Sequence, residues 1–141
     1  MISEIGFVFL TLTLVISSFS FAQLIYSHIN SRHFVLNHLK ITNLIFFFTL
    51  SSFISLTYSF LISDFSLDVV AQNSNSQLPT IYKFTGVWGN HEGSILLWLL
   101  VMTFFGFLFS KNSSASEEFK NNVLKIQNSL CFLVVSFIIF T

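Results

Sequence analysis

Residues 5–26 read IGFVFLTLTLVISSFSFAQLIY, an unbroken run without a single Asp, Glu, Lys or Arg. At a helical rise of about 1.5 Å per residue, such a run is long enough to cross a hydrocarbon core of about 30 Å. Residues 41–62 repeat the pattern at the same length, again with no charge. Both runs carry hydroxyl side chains, and Ser52, Ser55 and Ser59 share one helical face. Small hydroxyl residues at that spacing suit close packing between helices in lipid better than an ion path.

Outward from these runs, the composition agrees. Of 141 residues, 53% are hydrophobic and 9% charged, the balance of a membrane protein. The formal net charge is zero, so no basic field exists to hold nucleic acid. The lone cysteine, Cys131, can form neither an internal disulfide nor a redox pair, and reads as a small buried apolar residue. Twenty Phe residues, with few Ala, Arg and Pro, point to an AT-biased coding genome, with a mitochondrial one favoured. The N-terminus has Glu4 and no basic n-region, so the first run is expected to stay as an anchor rather than leave as a signal peptide.

The fold expected is all-α and polytopic. It is one membrane domain over residues 1–141, with spans at 5–26, 41–62, 88–109 and 123–141 and an outer interfacial loop at 63–87. The third span has a short apolar core, so its helix is expected to begin within the segment from Trp88 to Ser94. Lys125 stands at the entrance to the fourth span, where it can snorkel to water. That span stops at Thr141 without a polar flank, the expectation for a chain that a longer protein or a second polypeptide continues. In the middle connection, residues 73–77 read as a loop and Leu78-Pro79 as the end of any preceding regular structure.

Arg32, Lys40, Lys111, Lys120 and Lys125 fall on one side of these spans and Lys83 alone on the other. The positive-inside rule puts the larger group in the matrix or cytoplasm, and the N-terminus and middle connection on the intermembrane-space or periplasmic side. His28, His33 and His38 recur every five residues, which aligns no helical face, so they read as a solvated loop. Glu117, Glu118 and Lys120 read as a solvated turn, and Asn112-Ser113-Ser114 as an accidental glycosylation pattern.

The chemistry-bearing candidates gather at the mouth of the third span, in Trp88-Gly89-Asn90-His91-Glu92-Gly93-Ser94, followed by Ile95-Leu96-Leu97-Trp98. Ionisable groups beside hydrocarbon usually have a partner or a role. A zinc-hydrolase reading of His91-Glu92 requires histidine at position 95, which is Ile95. Two readings of His91 stay open, a structural hydrogen-bonding group or an axial haem ligand. Glu92 is expected to pair with His91, Lys83 or a further segment. Gly89 and Gly93 have the spacing of a close-approach pair if that segment is helical.

The order Glu4-Ile5-Gly6, Asp64-Phe65-Ser66, Val70-Ala71, Asn73-Ser74-Asn75, Gln77-Leu78-Pro79, Tyr82-Lys83, Trp88-Gly89, His91-Glu92-Gly93-Ser94, Leu96-Leu97-Trp98 and Phe140-Thr141 resembles the start of the CcmF-type cytochrome c haem lyases, including their mitochondrial counterparts. The resemblance implies a part in covalent haem attachment to apocytochrome c, in the mitochondrial inner membrane or, alternatively, a bacterial plasma membrane. It implies haem as cofactor of the complex, with ligands outside this chain. The partners implied are the remaining haem lyase segments, a haem carrier and apocytochrome-handling factors. Trp88, Gly89, His91, Glu92, Gly93, Ser94 and Trp98 are then candidate haem-environment or partner contacts, with no catalytic and no metal-ligating residue in the chain. A structural, assembly role follows for this piece. The competing class, a small hydrophobic subunit of a respiratory complex or transporter, calls for carboxylates in mid-membrane. Glu4, Asp64 and Glu92 stand at span ends.

Overall fold

A computed structural model describes residues 2–30 and 37–140; Arg32, His33 and Thr141 lie outside the described residues. Six helices follow in order: α1 (Ile2–Asn30), α2 (His38–Leu61), α3 (Asp68–Asn73), α4 (Thr80–Gly86), α5 (His91–Lys111) and α6 (Glu117–Phe140). Among the described residues there is no strand. Four helices, α1, α2, α5 and α6, are long and apolar enough to cross a membrane. They alternate in direction. Around the bundle α1 packs on α2, α2 on α5, α5 on α6 and α6 back on α1, with α2 and α6 also touching across the centre. The chain is an all-helical, multi-pass membrane protein.

Helix starts follow from local capping. The N–H of Lys40 donates to Asn37 Oδ1 at 3.2 Å, that of Gly93 to Asn90 Oδ1 at 2.7 Å, and that of Phe119 to Ser116 Oγ at 3.4 Å. Each cap supplies an acceptor to an otherwise orphaned first-turn donor. This is why α6 begins at Glu117, ahead of the expected span at 123. Glu117 and Glu118 occupy its first turn, where the helix dipole favours negative charge.

Small residues set the helix contacts. Ser52, Ser55 and Ser59 are buried on α2. Opposite them, a Cβ on Gly6 would come within 2.9 Å of the Ser55 side chain, so glycine lets α1 lie close. Two buried hydroxyls of this helix donate within it, Thr49 to the Ile45 carbonyl at 2.8 Å and Ser59 to the Ser55 carbonyl at 3.1 Å. Between α5 and α6, Gly106 leaves room for the Gln127 amide, which donates to the Met102 carbonyl at 2.6 Å. Phe rings fill the seams, with Phe46 stacked on Phe107 at 4.8 Å and Phe21 on Phe132 at 4.9 Å.

The middle connection departs from the loop expected there, because it carries α3 and α4. Regular structure has ended before Leu78-Pro79, with α3 stopping at Asn73, and Pro79 then stands at the N-cap of α4. Val70 and Val87 are fully buried against Phe60 at the end of α2. That apolar contact is the tertiary partner that helices this short need. α2 ends through Ser63, whose φ of 55° lies in the left-handed region. The Ser63 hydroxyl accepts from Lys83 Nζ at 2.6 Å, tying α4 back to the end of α2.

Candidate functional site

The residues of the string after Val87 form a turn and a helix start, not one continuous helix. Asn90, only 8% exposed, organises the turn. Its Nδ2 donates to the Gly86 carbonyl at 2.8 Å and to the Val87 carbonyl at 3.2 Å, while its Oδ1 accepts from Gly93 N–H. One side chain thus joins the end of α4 to the first turn of α5. A Cβ on Gly93 would overlap the Val87 carbonyl oxygen. Gly93 is therefore required for a turn to fold back on its own helix. Gly89 sits in the turn outside both helices, so the two glycines do not make a helix-packing pair. The sequence signal for this role is the N-cap pattern, an Asn directly ahead of an apolar helix.

The remaining string residues separate. Trp88 is half-buried and meets Phe84 edge-on at 5.0 Å, beside the Phe60–Val70–Val87 cluster. His91 is exposed, with its ring 6.1 Å from that of Phe137 on α6. Ser94 Oγ donates to the His91 carbonyl at 2.9 Å. Trp98 is 78% exposed and lies two turns along α5 from His91, on the same face. Glu92 points elsewhere, above the buried stripe of Leu96, Leu99 and Thr103. It has no hydrogen-bond or ion-pair partner among the described residues, and Lys83 is turned to Ser63.

Just outside the spans, Ser66 donates to Asp64 Oδ1 through its hydroxyl at 2.6 Å and its N–H at 3.2 Å. The hydroxyl first, then the N–H, holds the Asp64 carboxyl below its ordinary value.

A second polar cluster lies at the opposite end of the bundle and corrects the reading of the histidines. His38 is fully buried, whereas His28 is exposed. The His38 Nε2 pairs with Gln23 Oε1 at 2.7 Å and its Nδ1 with Ser20 Oγ at 3.4 Å. Its N–H donates to Asn121 Oδ1 at 2.8 Å, and its carbonyl accepts from Thr42 Oγ1 at 2.8 Å. Thr42 Oγ1 also lies 3.1 Å from Asn128 Oδ1. The His38 ring thereby ties α2 to α1, and its backbone N–H ties α2 to α6. Lys120, expected in a solvated turn, is 7% exposed and donates to the Asn112 carbonyl at 3.0 Å. Lys125 is half-buried and reaches Ser27 Oγ at 3.5 Å rather than snorkelling free.

No protein-family model matches the chain. Individual relatives do. The cytochrome c-type biogenesis protein CycK of Rhizobium meliloti is 47% identical over 93 residues, covering 64% of this chain and 14% of its own length. The corresponding protein ccl1 of Rhodobacter capsulatus is 44% identical over 91 residues, with coverage of 64% and 14%. CcmF of Pseudomonas fluorescens is 52% identical over 69 residues, covering 47% of this chain and 10% of its own length. This chain is homologous to a segment of the CcmF-type cytochrome c biogenesis proteins. A solved structure titled cytochrome c heme lyase CcmF shares the fold, with a TM-score of 0.80 over 96% of this chain and 23% of that one, at 23% identity. The CcmF-type segment thus spans about one seventh of the length of the first two relatives.

The described histidines His38 and His91 stand at opposite ends of the bundle. Both ring nitrogens of His38 are engaged inside the bundle, and His91 stands at the far end, exposed. Among the described residues no group of His, Cys, Asp and Glu converges to hold a metal ion.

Proposed function

We propose that this chain is the N-terminal segment of a membrane haem lyase that attaches haem covalently to apocytochrome c, and that its own part is structural. The observation that carries the reading is the coverage: 96% of this chain matches the lyase fold, but only 23% of that larger chain is matched. In this reading other segments or subunits bring the haem ligands, and a haem carrier and apocytochrome-handling factors deliver the substrates. The segment alone is non-catalytic. The face of α5 bearing His91 and Trp98 supports a contact role, since an exposed Trp two turns from an exposed His is surface a partner helix can cover. Trp88, Gly89, Gly93 and Ser94 shape the turn that presents this face, and Glu92 flanks it.

Lys40, Lys111, Lys120 and Lys125 gather at the end of the bundle away from the middle connection. This supports a matrix or cytoplasmic location for that end, with the N-terminus and α3–α4 in the intermembrane space or periplasm. The Phe-rich, Ala-poor composition supports the mitochondrial inner membrane. Affinity capture in mild detergent, read by mass spectrometry and a haem absorption spectrum, tests the assignment. Co-purification with a haem-bearing polypeptide of the lyase is expected; recovery with respiratory-complex subunits alone overturns it.

A further inference from the structure

A cavity of about 220 Å³ lies between the long helices at the end nearer the middle connection. Its walls are apolar, with Leu10 from α1, Leu56 from α2, Leu96 from α5 and Ile138 from α6, and Leu67 and Val69 close over it. Three polar side chains, Ser52, Ser55 and Glu92, line the same space. Ser52 is 4% exposed, and its hydroxyl has no hydrogen-bond partner among the described residues. The other hydroxyls of that α2 face differ, since Thr49 and Ser59 donate to their own helix. Glu92 stands exposed at the cavity's edge, likewise without a partner. The Ser52 hydroxyl can donate into this space and the Glu92 carboxyl flanks its edge, so a ligand with an acceptor and a cationic head can engage both.

The occupant must therefore combine an apolar chain, a hydrogen-bonding ester or hydroxyl near its head and a cationic head. We infer that this cavity binds a membrane aminophospholipid. Its ammonium group pairs with Glu92, an ester oxygen accepts from the Ser52 hydroxyl, and an acyl chain lies along Leu10, Leu56 and Ile138. Charge complementarity decides the headgroup, because Glu92 is the one charged residue among those lining the cavity. An anionic phosphatidylglycerol head is repelled by the same carboxylate. The lipid braces the bundle where α1 and α6 would otherwise stand over a void, a role that goes beyond the assembly reading and does not depend on it.

The test uses the purified chain, delipidated in maltoside detergent and exposed to vesicles of phosphatidylethanolamine or phosphatidylglycerol, with bound lipid counted by native mass spectrometry. Phosphatidylethanolamine is expected to be retained over phosphatidylglycerol, and Glu92→Gln to reduce that preference by about five-fold, the size of a partly exposed ion pair. Leu96→Trp, which fills the cavity, is expected to lower retention of both lipids. Ser52→Ala, which leaves the α2 packing face small, is expected to weaken retention with circular dichroism unchanged. Equal retention of the two lipids, or a preference unchanged in Glu92→Gln, overturns the inference. So does a photo-crosslinker at Ile138 that captures a polypeptide in place of lipid.

Discussion

Asn90 Oδ1 accepts the backbone N–H of Gly93 at 2.7 Å, and this bond holds the α4–α5 turn against the helix it precedes. The same geometry makes the two glycines of the string unequal. A methyl at Gly93 meets the Val87 carbonyl oxygen, while one at Gly89 finds its nearest neighbour, the Thr85 carbonyl, at 3.4 Å, an ordinary contact.

Gly93→Ala is therefore expected to destabilise the protein by about 2 kcal/mol or more, and Gly89→Ala by less than about 0.5 kcal/mol. Asn90→Ala should cost about 1–2 kcal/mol through the lost cap. Thermal unfolding in detergent, followed by circular dichroism, checks the order. Equal losses at the two glycines would contradict the turn geometry.

His38→Ala is expected to cost about 1–3 kcal/mol, because it leaves Gln23 and Ser20 facing each other across a buried gap without their shared partner. His28→Ala, at an exposed site on the same end of the bundle, should be close to neutral. Cysteine pairs engineered between α1 and α6 would report the loosening as faster crosslinking in the His38 variant.

Acid should loosen the Asp64–Ser66 turn. The folded carboxyl titrates below its ordinary value of 3.8 because the Ser66 hydroxyl and N–H donate to it. The bonds' contribution is present above the ordinary value and lost as pH falls through the lowered one. Amide exchange at Ser66 should rise in that acid window, and Ser66→Ala should return the carboxyl toward 3.8, as read by an NMR titration of the Asp64 side chain.

His91→Ala and Trp98→Ala are expected to reduce co-purification of the partner polypeptide while leaving the helical content of this chain intact. His91→Ala should impair cytochrome c maturation through failed assembly. A variant complex that assembles at normal yield but lacks its haem absorption band would assign His91 to the haem instead.

The four spans were legible because a long uncharged run has few ways to satisfy its backbone in lipid other than a helix. The small hydroxyl face of Ser52, Ser55 and Ser59 was legible for a related reason, since its period is the helical one. The short helices of the middle connection were not. Their propensity is weak, and Val70 of α3 and Val87, just past α4, become core only when Phe60 is brought beside them. Pro79 follows the end of α3 and also opens α4, because the restricted φ that stops one element suits the start of the next.

Of the candidate site, the sequence by itself determined where the string lies, at the start of the third long helix, and that Ile95 excludes the zinc motif. Only the tertiary structure decided what each residue does there. Gly93 answers to Val87 through a fold-back, Glu92 to a cavity walled by every long helix, and His38 to Gln23, Ser20 and Asn121 across the bundle. Periodicity along a chain reports which face a residue takes. It carries no information about which side chain from a distant helix stands opposite, and in lipid that opposing group decides whether a polar residue is satisfied.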